Sequence, residues 1–278
     1  MTPAITVRDV GVRFFLQHMR SPTVHSGIVR FLRGNIKPEE FWALRHITFQ
    51  VPKGSVLGVI GANGSGKSTL LRVLSRILQP DEGELELRGR VRSLISLGAG
   101  FQQALSGLEN IYYNGMLLGE TREQIDRRLD EIISFSDLGN RIDTPVATYS
   151  SGMKARLAFS IAVHLEPEII VLDEVIGVGD AVFRQRSTEK MRELITSGAT
   201  VVMVQHNMGA IVDLCTECMW LEKGAIKLTG EPLGVVNAYL DSRGLDPMTR
   251  EDAANAAVDE DPRPRTRRDA PIVPRTSG

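Results

Sequence analysis

The chain has 278 residues, 42% of them hydrophobic, and a formal net charge of −1. That is enough apolar material for a large core, and the near-neutral balance lacks the strong positive charge that nucleic-acid binding imposes. No apolar run approaches the roughly 18–20 residues of a membrane span and no leader pattern opens the chain, so a soluble, cytoplasmic protein with no nucleic-acid partner is expected.

Strand pattern appears first at Ile5–Val10, Ile47–Val51 and Val56–Ile60. Between the first two lies a long segment, Phe15 to Trp42. From Val10 to Pro38 it holds no acidic residue but carries Arg13, Arg20, Arg30, Arg33 and Lys37. A solvated face is as good a reading of this basic stretch as a functional surface.

The third strand runs straight into Gly61-Ala-Asn-Gly-Ser-Gly-Lys67-Ser68 and then a helical stretch, Thr69–Leu78. Strand, tight glycine loop and helix with the spacing G-x-x-x-x-G-K-S is the setting in which backbone N–H groups turn inward around phosphate oxygens. Gly64 and Gly66 let the backbone close around the anion, and the helix start adds roughly half a positive charge. Lys67 is expected to reach the β- and γ-phosphates and the Ser68 hydroxyl to take a place on Mg2+. The nucleotide contacts are assigned to Gly61, Asn63, Gly64, Ser65, Gly66, Lys67, Ser68 and Thr69.

Further strand pattern at Leu85–Leu87 and Val91–Leu97 gives way to helices. Thr121-Arg-Glu-Gln124 has the form of a capping box, followed by Ile125, Leu129, Ile132 and Ile133 on one face. Tyr149-Ser150-Ser151-Gly152-Met153 opens another helix. Its hydroxyls and glycine N–H can form a second anion site, or simply cap the helix; both can hold at once. One chain has little use for two phosphate cradles unless the second faces another subunit's nucleotide.

Ile169-Ile-Val-Leu-Asp173-Glu174 is an apolar strand ending in two carboxylates. Asp173 is placed to hold Mg2+ through water, and Glu174 to act as general base on the attacking water. A helical stretch at Phe183–Ile195 and a strand at Thr200–Val204 follow. Apolar runs without alternation predict strands buried on both faces, hence a parallel sheet in an α/β domain. A hairpin at Cys218–Leu228 pivots on Lys223-Gly224, and a helix covers Gly234–Leu240. Cys215 and Cys218 lack the second pair that a zinc or redox site wants, and read as buried thiols. From about Thr249 the composition turns to Glu, Asp, Ala, Pro and Arg, and disorder is expected.

In this order, the P-loop, Ser-Ser-Gly motif, Asp173-Glu174, Gly179-Asp180 turn and His206 resemble the nucleotide-binding subunit of an ABC transporter over residues 1 to 243. The resemblance implies an ATP hydrolase coupled to transport. Two subunits would pack head-to-tail around two ATP molecules, each between one P-loop and the partner's signature motif. Ser150, Ser151 and Gly152 would then touch the γ-phosphate across the interface, and Asp180 would bridge the subunits. His206 would hold the γ-phosphate and orient the water with Glu174; Phe14, or else Phe15, would stack on adenine. The implied fold is a RecA-like P-loop NTPase core with its antiparallel β subdomain at 1–96 and 166–243, an insert at 15–45, a helical subdomain at 97–165 and a disordered tail at 244–278.

The signature departs from the commoner Leu-Ser-Gly-Gly-Gln, and the family's metal-contacting Gln has no clear match: Leu94–Leu97 occupies its region, with Gln102 and Gln103 slightly later. Leu97-Gly-Ala-Gly-Phe101, Leu108-Glu-Asn-Ile-Tyr112, Tyr149–Met153, Val178–Ala181 and Glu40–Leu44 are similar to the polysaccharide-exporting branch, which serves lipid-linked O-antigen, teichoic acid and galactan. That branch implies a separate membrane-spanning permease in two copies, a lipid-linked glycan as cargo, and residence at the cytoplasmic face of the inner membrane. It also implies a short helix around Pro38–Leu44, with the basic stretch beside lipid or pyrophosphate head groups. The chain ends before the carbohydrate-binding domain some members carry, so glycan-cap recognition is not expected. The alternatives are an exporter for another cargo and a soluble, non-transport ABC ATPase.

Overall fold

The structure, a computed structural model, describes residues 2–16, 39–95, 98, 100–173 and 180–258. In chain order, β1 (Pro3–Leu16) and β2 (Glu39–Pro52) pair antiparallel, and β3 (Val56–Ile60) leads through the glycine loop into α1 (Lys67–Leu74). β4 (Glu82–Leu87) returns to pair with β1, and β5 (Val91–Leu94) precedes the helices α2 (Gly107–Leu117), α3 (Arg122–Ser136) and α4 (Ser151–His164). Strands and helices then alternate as β6 (Ile169–Asp173), α5 (Ala181–Thr196), β7 (Thr200–Val204) and α6 (Met208–Leu214). The hairpin β8 (Glu217–Glu222) and β9 (Ala225–Gly230) is followed by α7 (Pro232–Ser242) and α8 (Arg250–Val258).

Among the described residues the strands form a three-stranded antiparallel sheet, β2-β1-β4, and a six-stranded sheet, β5-β6-β7-β3-β8-β9. The larger one is parallel except at β9. Its inner strands β3, β6 and β7 read as nearly unbroken apolar runs because both faces are covered. Ile60, Ile170, Leu172, Met203 and Trp220 face one core, lined by Phe159, Phe183 and Val236 from the helices. Their neighbours Val59, Val171, Val202 and Leu221 face the other core, where Leu70, Leu71 and Leu74 of α1 lie with Val10, Val12 and Leu44 of the antiparallel sheet. Truncating one of these leucines to Ala should cost about 2–5 kcal/mol.

A third core, with Ile111, Ile125, Ile132, Leu157 and Ile161, lies within the helical region. Reciprocal capping boxes start two of its helices: Ser106 with Glu109 on α2, and Thr121 with Gln124 on α3, the latter as the sequence predicts.

Two expectations are corrected. Glu39–Leu44 is strand, not the short helix expected around Pro38–Leu44, because Phe41, Trp42 and Leu44 pair across the ladder with Phe14, Arg13 and Val12. Within the tail expected to be disordered over 244–278, Arg250–Val258 instead forms α8, with Thr249 and Asp252 bonded reciprocally at its start and Ala253 buried. The insert residues Arg20, Arg30, Arg33 and Lys37, the carboxylate Glu174, Gly179 and the chain from 259 onward lie outside the described residues.

Candidate active site

The loop between β3 and α1 is held by its glycines. Gly61, Gly64 and Gly66 have φ of +150°, +77° and +107°. A Cβ on Gly61 would sit 2.2 Å from the Leu221 carbonyl and one on Gly66 2.6 Å from the Ala43 carbonyl, whereas one on Gly64 would meet nothing within 4 Å. Gly61 and Gly66 thus let the loop press against β8 and β2, and Gly64 leaves its outer side open. Gly66 caps α1 without a side-chain acceptor, and no acidic residue occupies the first turn. The N–H groups at the start of α1 therefore favour an anion from outside.

Lys67 is only 8% exposed and donates Nζ to the carbonyls of Gly61 at 2.8 Å and Ala62 at 3.1 Å. The ammonium is drawn back over the loop carbonyls, at the start of α1. Buried Ser65 Oγ has no hydrogen-bond partner, an orphan of the kind a bound polar ligand resolves. Asn63, Gly64 and Ser68 are exposed, and Thr69 is half-buried.

The order β6-β7-β3 brings the other predicted groups to the same end of the sheet. Asp173 pairs in register with Val204, and Val204 with Val59, one residue before the strand passes into the loop. With strands about 4.8 Å apart, Asp173 stands roughly 10 Å across the sheet from the loop's first residues. His206 follows Val204 by two residues at the same edge and is exposed, while Asp173 is half-buried. Among the described residues no cluster of three or more His, Cys, Asp or Glu side chains could hold a metal alone. Ser68 and Asp173 suit a hard cation that completes its shell with phosphate and water, as Mg2+ does.

The signature turn sits elsewhere. Ser150 caps α4, its Oγ accepting the Met153 N–H at 3.2 Å, and Tyr149 and Met153 pack into the helical core. Ser151 is exposed, and a Cβ on Gly152 would meet nothing closer than Ser150 Oγ at 3.9 Å. Asp180 caps α5 by accepting the Phe183 N–H at 2.9 Å. That bond, with Arg156 adding its charge, holds the Asp180 carboxyl below its ordinary range.

Arg156, which sequence reading did not single out, lies six residues after Ser150. It reaches Asp180 at 3.7 Å and Asp137 at 3.4 Å, with its guanidinium 5.9 Å from the Phe183 ring centre. It ties the signature helix to the Asp180 turn.

Phe14 pairs with Phe41 across the strands, on the face of Val12 and Leu44 that covers α1 and the loop. Phe15 falls on the other face, under Arg13 at 5.6 Å. Strand alternation thus favours Phe14 over Phe15 as the aromatic near the loop. Phe14 and Phe41 are 40% and 49% exposed. Phe41 joins Phe14 on this face because its segment is strand, where the sequence suggests a helix. Gln102 donates its side-chain amide to Tyr113 at 3.1 Å, and Gln103 accepts Lys154 at 3.0 Å, both within the helical region. Both cysteines are free and buried, and burial pushes the Cys218 thiol up to about 12.

The ABC transporter family model matches residues 44–177. The O-antigen export system ATP-binding protein of Myxococcus xanthus is 42% identical over 247 residues, which are 87% of this chain and 56% of that protein. The teichoic acids export ATP-binding protein of Lactococcus lactis is 45% identical over 201 residues, 72% of this chain and 43% of that one. The chain thus spans about half the length of these relatives. A Klebsiella pneumoniae O-antigen export system ATP-binding protein is 39% identical over 204 residues, 73% of this chain and 83% of its own length. Among solved structures, a dimeric ATP-binding cassette in a post-hydrolysis state with ADP and Pi superposes with TM-score 0.66 at 18% identity, covering 82% of this chain and 98% of that one. An ABC transporter ATP-binding subunit gives TM-score 0.68 at 20% identity, covering 92% of this chain and all of that one. The fold of these cassettes, the motif order along the chain and the match to most of the Klebsiella relative agree: this chain belongs to the ABC transporter family.

Proposed function

We propose that the chain is the ATP-hydrolysing subunit of an exporter for a lipid-linked polysaccharide, acting as a homodimer on two copies of a separate membrane-spanning subunit. The observation that carries the reading is the gathering of the P-loop, Asp173 and His206 at one end of the β6-β7-β3 sheet. The names of the relatives, which export O-antigen or teichoic acids, support the cargo class. Among the described residues no helix is long and apolar enough to cross a membrane, so the path through the bilayer falls to the partner.

The loop N–H groups and Lys67 bind the β- and γ-phosphates of ATP. Ser68 and Asp173 would hold Mg2+, which neutralises developing charge when bound. Glu174 takes the proton of the water that attacks the γ-phosphate as ADP leaves, and His206 holds the γ-phosphate and orients that water with Glu174. Ser150, Ser151 and Gly152 of the second copy close the site from outside, and Asp180 bridges the copies. ATP favours the closed pair because its charge is satisfied by donors from both subunits; hydrolysis removes that bridge.

The test is an affinity pull-down of the full chain from detergent-solubilised membranes, with ATPase assays of the wild type and Lys67→Ala. The reading expects a membrane-spanning partner carrying a glycolipid, and turnover that Lys67→Ala lowers by about a hundredfold or more. Recovery of ribosomes or DNA with no membrane protein would favour a soluble ABC ATPase, and a partner carrying a drug or peptide another cargo.

A further inference from the structure

α8 brings the C-terminal part of the chain back to the His206 turn. It packs on α6, with Ala253 buried to 1% exposure. Asparagines fasten the segment at both ends. At its entry, Asn237 of α7 donates Nδ2 to the Met248 carbonyl at 2.9 Å and accepts the Met248 N–H at 2.7 Å. In its last turn, the Ala256 carbonyl accepts Asn207 Nδ2 at 2.7 Å, while Asn207 Oδ1 accepts the Ala210 N–H at 3.2 Å. Carbonyls in a helix's last turn lack intrahelical donors, so this bond satisfies an end of α8. Asn207 is at once the cap of α6, the anchor of α8 and the residue next to His206.

We propose that α8 is a working part of the catalytic edge. Docked, it holds Asn207, and through Asn207 the turn from which His206 acts; undocked, it lets that turn loosen. Both ends of the Asn207 amide are used, so the side chain cannot rotate to release one helix and keep the other. Displacement of α8 therefore passes to the start of α6 and to the peptide of His206. Asn207 is a positioning residue. The functional arm of this inference rests on the hydrolase reading; the structural arm does not.

Two full-length variants test it. Ala253→Glu forces a carboxylate into the buried contact between α6 and α8. Asn207→Asp keeps the acceptor for Ala210 and removes the donor to Ala256. Amide hydrogen exchange is followed at 205–214 and, as reference, at 67–74, with kcat and KM for ATP measured alongside. Each variant should speed exchange at 205–214 by about tenfold or more and leave 67–74 unchanged. The kcat should fall by about tenfold with KM nearly constant, and the double variant should be no slower than Ala253→Glu, since both break one coupling. Unchanged exchange at 205–214 in both variants, or wild-type kcat despite faster exchange, overturns the proposal. A wild type without turnover counts against the hydrolase reading alone, because exchange still decides whether α8 holds the turn. Should Ala253→Glu fail to fold, Asn207→Asp supplies both readouts.

Discussion

Gly224, at the turn of the β8–β9 hairpin, donates its N–H to the Ser65 carbonyl at 2.9 Å, and its own carbonyl accepts the Arg45 N–H at 2.8 Å. One residue thus joins the phosphate loop, the edge of the parallel sheet and β2 of the antiparallel sheet. Its φ is +78°, and a Cβ would sit 2.8 Å from the Ala43 carbonyl. Gly224→Ala should therefore destabilise the fold by about 1–3 kcal/mol. It should also weaken ATP binding, because a shift of residue 224 away from the Ala43 carbonyl disturbs the bond it donates to Ser65 of the loop. Thermal unfolding with and without ATP checks this; a variant whose ATP-induced rise in Tm equals the wild type's would separate the hairpin from the loop.

Lys67 places its ammonium over the Gly61 and Ala62 carbonyls, at the mouth of the loop. Lys67→Ala should lower nucleotide affinity and cost about 3–4 kcal/mol in the transition state, as loss of one preorganised electrostatic contact does. Steady-state ATPase rates and fluorescent-nucleotide titration measure both. Near-normal rates would mean the phosphates bind elsewhere.

Phe14 and Phe41 share the strand face above the loop. If Phe14 stacks on adenine, Phe14→Ala should weaken ATP binding by about 1–3 kcal/mol, the usual worth of base stacking, and leave inorganic tripolyphosphate binding unaltered. Equal loss for both ligands would mean that Phe14 supports the fold and not the base.

His164 tests the junction between the helical region and the parallel sheet. Its ring is buried against Phe135, at 5.0 Å between ring centres, with Nδ1 2.8 Å from the Ser160 carbonyl. Burial pushes its pKa below the ordinary 6.5, and Lys190 adds to this, against the opposing pull of the Ser160 carbonyl and of Glu131 and Glu193. As pH falls through 6.5 the unfolded chain takes up a proton that the folded chain refuses. Stability should therefore fall below that pH, and His164→Leu should flatten this part of the profile. Urea unfolding at pH 7.5 and 5.5 measures it; identical pH dependence in the variant would assign the acid loss to other groups.

The thiols of Cys215 and Cys218 are raised by burial. A thiol reagent at pH 8 should label neither in the native chain and both after denaturation. Rapid labelling of the folded chain would contradict their burial.

Much of this architecture was legible because its signals are local. The P-loop needs glycines where φ is positive, the parallel strands need apolar residues on both faces, and Thr121 and Gln124 spell their cap within one turn. The parts missed depend on distant partners. Glu40–Leu44 reads as strand only once Phe14, Arg13 and Val12 lie beside it. Helix α8 has almost no apolar stripe, and docks through a small residue, Ala253, and amides from Asn207 and Asn237 that no local pattern announces. Arg156 is one basic residue on a helix until Asp137 and Asp180 are folded around it.

The most direct measurement of the joint grip on nucleotide is static light scattering of Glu174→Gln at saturating ATP. Loss of the base should leave binding intact and block hydrolysis, so the account predicts a stable dimer that reverts to monomer when ATP is replaced by ADP. Monomer alone under both conditions, with the membrane-spanning partner present as well as absent, would contradict it.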